Sequence, residues 1–166
     1  MKKILLVFTL LMTQLIGKAQ RVTYNDLKFV LYNDISKVED YLSYKKFEFV
    51  GIDSNLTEDN HYDYVFIQHW SNKDNKYLRI SKRSFNGVFY ESTLKSYLQS
   101  DYLKFRTSII KSGFRLIKTN IENDIFHNLY KKGSLEINIF ISSTDNPDIH
   151  NYDITLIDKK LNSGYE

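Results

Sequence analysis

The stretch Tyr77-Leu78-Arg79-Ile80-Ser81-Lys82-Arg83-Ser84-Phe85-Asn86-Gly87-Val88-Phe89-Tyr90-Glu91-Ser92-Thr93-Leu94 decides the fold class. Two runs of period two, Tyr77–Arg83 and Val88–Leu94, meet at Asn86-Gly87. That dipeptide suits the tight turn whose twist matches antiparallel strands, so the stretch reads as a β-hairpin. Working backwards, Phe47–Asp53 and Tyr62–Trp70 keep the same period, and Lys73-Asp74-Asn75 reads as the turn before Tyr77. Four strands in succession are therefore expected.

Before those strands the period changes. Leu27, Val30, Leu31, Ile35, Val38, Tyr41 and Leu42 recur at steps of three and four, the stripe of an amphipathic helix. Thr23 followed by Asp26 resembles a capping box, and Asn33-Asp34 is a point where the helix can break in two. Beyond Leu94 the order recurs. Asp101–Ser112 reads as a helix, and Phe114–Thr119, Ile125–Lys131, Leu135–Ser142 and Ile149–Ile157 read as strands. Lys132-Gly133 and Thr144-Asp145-Asn146-Pro147-Asp148 mark turns between them. Lys46-Phe47-Glu48-Phe49-Val50 and Gly113-Phe114-Arg115-Leu116-Ile117 stand at corresponding helix-to-strand junctions. One helix and then four strands, twice over, predicts an α+β fold of tandem α-β4 units. These span about 23–94 and 100–157 and form a largely antiparallel sheet with helices on one face.

The N-terminus reads as an export signal. Lys2 and Lys3 precede a mostly apolar run, Ile4–Gly17, and Gly17-Lys18-Ala19 offers small residues at the positions a signal peptidase requires. The run is shorter than the roughly 20 residues that span a bilayer, so cleavage after Ala19 is expected rather than anchoring. A periplasmic or secreted mature chain follows, with residues 20–158 as one domain and 159–166 as a frayed tail. Cleavage removes three of the 23 basic residues (Lys2, Lys3 and Lys18) and no acid, leaving 20 basic against 20 acidic. The net charge of +3 thus belongs to the leader, and no nucleic-acid partner is implied. One basic stretch survives, Lys95, Lys104, Arg106, Lys111, Arg115 and Lys118, and is read as a solvated face. With no cysteine there are neither disulfides nor a lipid-modified N-terminus, and thiol chemistry is excluded.

Thr23-Tyr24-Asn25-Asp26-Leu27, Tyr41-Leu42 leading to Phe47-Glu48-Phe49, and Ser112-Gly113-Phe114-Arg115-Leu116 resemble a loose group of small exported bacterial proteins of unknown function. The expected architecture is also similar to the β-lactamase inhibitor protein, which pairs two helix-plus-sheet repeats and binds an enzyme. No inhibitory residue carries over, and the absence of cysteine departs from that protein's disulfides.

Strand parity predicts two faces. Val65, Ile67, Leu78, Ile80, Leu135, Ile137, Ile139 and Ile141 form an aliphatic set expected beneath the helices. Tyr64, Phe66, Gln68, Trp70, Tyr77, Arg79, Arg83, Glu136, Asn138 and Phe140 form the opposite, aromatic-polar set. Tyr, Trp and Arg dominate recognition hot spots, so a protein partner is expected to meet Tyr64, Gln68, Trp70, Tyr77 and Arg79. No nucleophile elbow, phosphate loop, dinucleotide fingerprint or zinc motif occurs, and no cofactor or metal is expected. A hydrolase or metal enzyme would be built from His61 with Asp63, or from the Asp-rich loop with a metal, and self-association of an envelope component is a third reading. The calcium-loop spacing beginning at Asp53 fails at Glu58 and Tyr64, and the Asp145, Asp148 and Asp153 cluster reads as a turn around Pro147.

Overall fold

The computed structural model describes residues 22–53, 61–71, 76–144 and 149–162. Helices α1 (Tyr24–Tyr32) and α2 (Ile35–Tyr44) precede strands β1 (Glu48–Asp53), β2 (His61–Ser71), β3 (Lys76–Phe85) and β4 (Val88–Ser96). Helix α3 (Gln99–Lys111) precedes β5 (Arg115–Glu122), β6 (Ile125–Lys132), β7 (Leu135–Ser143) and β8 (His150–Asp158), and a short α4 (Lys159–Asn162) follows. Within the segment read as a C-terminal tail, residues 159–162 form a helical turn, in which Lys160 N–H donates to Asp158 Oδ1 at 3.0 Å. The eight strands form one antiparallel sheet in the order β1-β2-β3-β4-β8-β7-β6-β5, giving a mixed fold in which strands predominate. The signal segment, the Lys73-Asp74-Asn75 turn and Asp145 with Asp148 lie outside the described residues.

Local chemistry sets the helix boundaries. The Asp26 carboxylate accepts from the Thr23 N–H at 2.6 Å and the Thr23 hydroxyl at 2.9 Å, holding the start of α1. Asn33 and Asp34 divide α1 from α2, as their sequence suggests, because Asp34 begins the second helix by accepting from Lys37 N–H at 3.0 Å. The far ends of α2 and α3 share one geometry. Lys46 (φ 69°) and Gly113 (φ 87°) occupy the left-handed region, and the next amide, Phe47 or Phe114, donates back to Leu42 or Ile109. This is the Schellman closure, and it turns each phenylalanine into the core, where they are 3 and 4% exposed. Both following strands then carry a bulge at the same distance, between Phe49 and Gly51 in β1 and between Leu116 and Lys118 in β5.

The core lies where α1 and α3 meet the central strands. Leu27, Val30 and Leu31 of α1 and Phe105 and Ile109 of α3 pack with Ile80, Leu94, Ile137, Ile139, Ile154 and Leu156. Polar groups fix α1 on this surface. Ser92 Oγ donates to Leu27 O at 3.0 Å, and Tyr32 Oη donates to Asp158 Oδ2 at 2.7 Å. Lys82 is fully buried, and its ammonium donates to the carbonyls of Val30 (2.5 Å), Leu31 (2.9 Å) and Asn33 (2.5 Å). These are carbonyls that the end of a helix leaves without intrahelical donors. Nζ also lies 4.1 Å from the centroid of the Phe89 ring. Burial pulls the Lys82 ammonium down to about 8, with Asp34 acting in the opposite sense.

The parity expectation holds for β3 and β7 and fails for β2. Leu78, Ile80, Ile137 and Ile139 are buried in the core, with Leu135 and Ile141 packed against it. In β2, however, the core position belongs to Phe66, which pairs with Ile80 and lies 5.3 Å from the Phe49 ring. Tyr64 and Gln68 share its face, and Val65 and Ile67 lie on the other with Ser81 and Arg79. The cause is that β2 carries large apolar residues on both parities. The register with β3 then gives the larger ring to the thicker side of the core.

Candidate functional site

The face opposite the core carries two arrangements. The first is a charged row across three neighbouring strands: Asp63 (β2), Arg83 (β3) and Glu91 (β4) stand opposite one another by register. Arg83 donates to both Asp63 oxygens, Nε at 2.9 Å and Nη2 at 3.1 Å, and its Nη1 lies 3.2 Å from Glu91 Oε1. The Thr93 hydroxyl donates to the same Glu91 oxygen at 3.2 Å. The Asp63 carboxylate holds the Arg83 guanidinium above its ordinary value, against the effect of burial. Burial pushes the Glu91 carboxyl up, with Arg83 pulling the other way. A forked guanidinium satisfying two buried carboxylates is a rigid element, not a reactive one.

The second arrangement lies towards one end of the same face, where a cavity of about 380 Å³ opens among β3, β4, β8 and β7. Tyr77, Tyr97 and Phe140 supply rings to its lining, and Arg79, Lys95 and Asp153 supply charge. Tyr77 and Tyr97 meet edge to face at 5.7 Å, and the hydrogen bond between their hydroxyls is the largest influence raising that of Tyr97. Lys95 Nζ lies 3.0 Å from Asp153 Oδ2, and Arg79 Nη2 lies 3.7 Å from Asp53 Oδ2. Among the described residues Arg79 Nε is buried with no hydrogen-bond partner. A second cavity of about 410 Å³, lined by Gln99, Tyr102, Phe126, Ile141 and His150, shares Tyr97 and Tyr152 with the first. Tyr102 and Tyr152 stack there at 4.9 Å.

Of the five residues expected to meet a partner, Tyr77 and Arg79 line the first cavity together. Tyr64 and Gln68 belong to the other face. Gln68 Nε2 donates to Lys45 O at 2.9 Å, and the Tyr64 ring lies 5.6 Å from Phe89. Trp70 falls within β2, and its side chain lies outside the described residues. The His61 ring meets that of Phe85 at a tilt, with centroids 4.5 Å apart, and the Asp63 carboxylate two residues on is engaged by Arg83. Among the described residues no group of three or more His, Asp or Glu is placed to hold a metal ion, and no helix is long and apolar enough to cross a membrane.

The sequence places Lys95 on a solvated face and Asp153 in the turn around Pro147, and carries no signal at Tyr97; Asp153 instead lies within β8. Lys95 and Asp153 occupy facing positions on β4 and β8, strands distant in the chain that become neighbours at the junction of the two halves. Nothing local to either residue signals that pairing. Comparison with protein-family models, with curated proteins and with solved structures yields no match to this chain.

Proposed function

We propose that the chain is exported, trimmed after Ala19, and acts as a non-catalytic binding module in the periplasm or outside the cell. In this reading it recognises a protein partner, in the manner of an inhibitor or immunity protein, through the sheet face that carries Tyr77 and Arg79. The two helix-plus-four-strand segments are copies of one unit, and all three longer helices cover the face opposite the partner. Support for the repeat comes from the matched Schellman closures at Lys46 and Gly113 and the matched bulges that follow them.

The observation that carries the binding reading is the cavity beside Tyr77, Arg79, Tyr97 and Phe140. Tyrosine buries a large contact area for little conformational freedom lost, and hot spots are enriched in both tyrosine and arginine. Arg79 presents a buried Nε that lacks an acceptor among the described residues, so an acceptor from a partner side chain gains a charge-assisted hydrogen bond there. Further along the same face, the Asp63-Arg83-Glu91 row supplies a pre-ordered polar surface.

The test is capture from envelope extracts by the wild-type chain, the Tyr77→Ala/Arg79→Ala variant and a Tyr64→Phe/Gln68→Met control on the opposite face. Loss of a specific partner in the first variant and its retention in the control is the expected result. A well-folded Tyr77→Ala/Arg79→Ala protein that keeps its partner at wild-type level refutes the assignment.

A further inference from the structure

Strand β5 is the outermost strand of the second half: among the described residues its one sheet neighbour is β6, and all eight of its residues are exposed. Leu116, Ile117 and Ile121 are among them, at 49, 56 and 60%. An outer strand of this kind presents unpaired N–H and C=O groups to any strand that can align with it.

The hairpin determines which groups face outward. Glu122 and Ile125 flank the two-residue turn Asn123-Asp124, in which both residues have positive φ (50° and 61°). Such a turn closes with a hydrogen-bonded pair, so the main-chain groups of Glu122 point to β6. Alternation then sends those of Ile121 and Thr119 outward and those of Asn120 and Lys118 inward. The bulge between Leu116 and Lys118 ends the regular edge, leaving Lys118–Glu122 available.

We infer that this edge docks a second copy of the chain, the two β5 strands running antiparallel about a twofold axis at Asn120. Thr119 then faces Ile121 of the partner subunit in a hydrogen-bonded pair, and the same pair recurs across the axis. Lys118 faces Glu122 of the partner subunit, also twice. Side-chain parity agrees with this register. Lys118, Asn120 and Glu122 share one face with Leu129, His127 and Ile125, and Thr119 and Ile121 share the other with Asn128 and Phe126. Twofold axes at Thr119 or at Ile121 also use the outward groups, but neither pairs opposite charges within the strand. The segment is thus complementary to itself, basic at one end and acidic at the other, and that selects a second copy over an unrelated strand. The other outer strand, β1, has its bulge between Phe49 and Gly51, which leaves only Gly51–Asp53 regular before the strand ends. The inference is independent of the cavity, and the pairing joins two eight-stranded sheets into one continuous sheet.

Four main-chain hydrogen bonds and two ion pairs make a small interface, so the dimer is weak and concentration-dependent. Sedimentation equilibrium on the wild-type chain detects it. Lys118→Glu and Glu122→Lys each place like charges opposite one another and raise the dissociation constant at least tenfold, and an equimolar mixture of the two variants associates again as a heterodimer. The chain has no cysteine, so Asn120→Cys is a clean probe of register. Facing residues of a pair without hydrogen bonds lie about 4.5 Å apart at Cα, within disulfide range, so Asn120→Cys crosslinks on mild oxidation. Thr119→Cys, one residue away on the other face, does not. All these positions are exposed, so folding is unaffected. A chain that stays monomeric up to about 1 mM, charge variants that leave association unchanged, or equal crosslinking at 119 and 120 overturns the inference.

Discussion

Replacing Lys82 with methionine tests the account of how α1 is held. The substitution keeps the aliphatic stem in place and removes the ammonium, so the carbonyls of Val30, Leu31 and Asn33 lose their donor together. A buried acceptor without a partner costs about 1–3 kcal/mol, which puts the gross loss near 6 kcal/mol. Relief of the ammonium's own burial returns part of this, as does water reaching the Asn33 carbonyl, the least enclosed of the three. A net destabilisation of about 3 kcal/mol remains, which for a domain of this size lowers the melting temperature by roughly 10 °C. The measurement is urea and thermal unfolding at pH 7, below the value of about 8 to which burial brings Lys82, so that the ammonium form prevails. Amide exchange adds a local readout: the last turn of α1 exchanges faster in the variant, and α3 does not. If Lys82→Met melts at or above the wild type, burial of the charge outweighs the capping and the reasoning fails.

Asp26 is buried, which raises its carboxyl, but Lys45, Tyr41 and Thr23 outweigh burial and hold it below its ordinary 3.8. A carboxylate with a depressed folded value contributes stability above about pH 4 and loses it as pH falls through the folded value. Asp26→Asn should therefore unfold more readily at pH 7 and converge with the wild type in acid, and parallel stability curves would contradict this. Arg83→Met leaves Asp63 and Glu91, on the strands either side of β3, unneutralised and should cost about 2 kcal/mol in urea unfolding, the partial exposure of Arg83 softening the loss. At the two Schellman closures opposite signs are expected. Lys46→Gly relieves a left-handed lysine and stabilises by about 0.5–1 kcal/mol, whereas Gly113→Ala imposes that strain and destabilises by about 1 kcal/mol. Equal signs at the two sites would show that φ does not govern these ends.

The legible part of the fold is the part with a local cause. Asn86-Gly87 adopts positive φ at both residues and joins β3 to β4 as the dipeptide predicts. The break at Asn33-Asp34, the helix before β5 and all eight strands emerge within a few residues of their periodic runs. The turn Asn123-Asp124 escaped notice because neither residue is glycine, although asparagine and aspartate tolerate the left-handed region better than other side chains do. The candidate site was half legible. Arg79 and Tyr77 alternate with the apolar pair Leu78 and Ile80, and they lie on the face opposite the core, where that alternation puts them.

The error in β2 shows what alternation can and cannot decide. Tyr64-Val65-Phe66-Ile67-Gln68 is apolar on both parities at its centre, so the strand on its own is consistent with either orientation. The orientation was settled by long-range partners. Phe66 meets Ile80 across the sheet and Phe49 on its other side, and Gln68 reaches a carbonyl at the end of α2 that only the folded chain brings near. Val65 is nonetheless 7% exposed on the opposite face, and Asp63 beside it is 5% exposed. That face is therefore not a bare sheet surface but a second, thinner layer, with its charges neutralised internally by Arg83 and its free volume gathered at the cavity by Tyr77 and Arg79. A surface built this way repels little and presents few mobile groups, so any recognition it performs concentrates on the few side chains around that cavity.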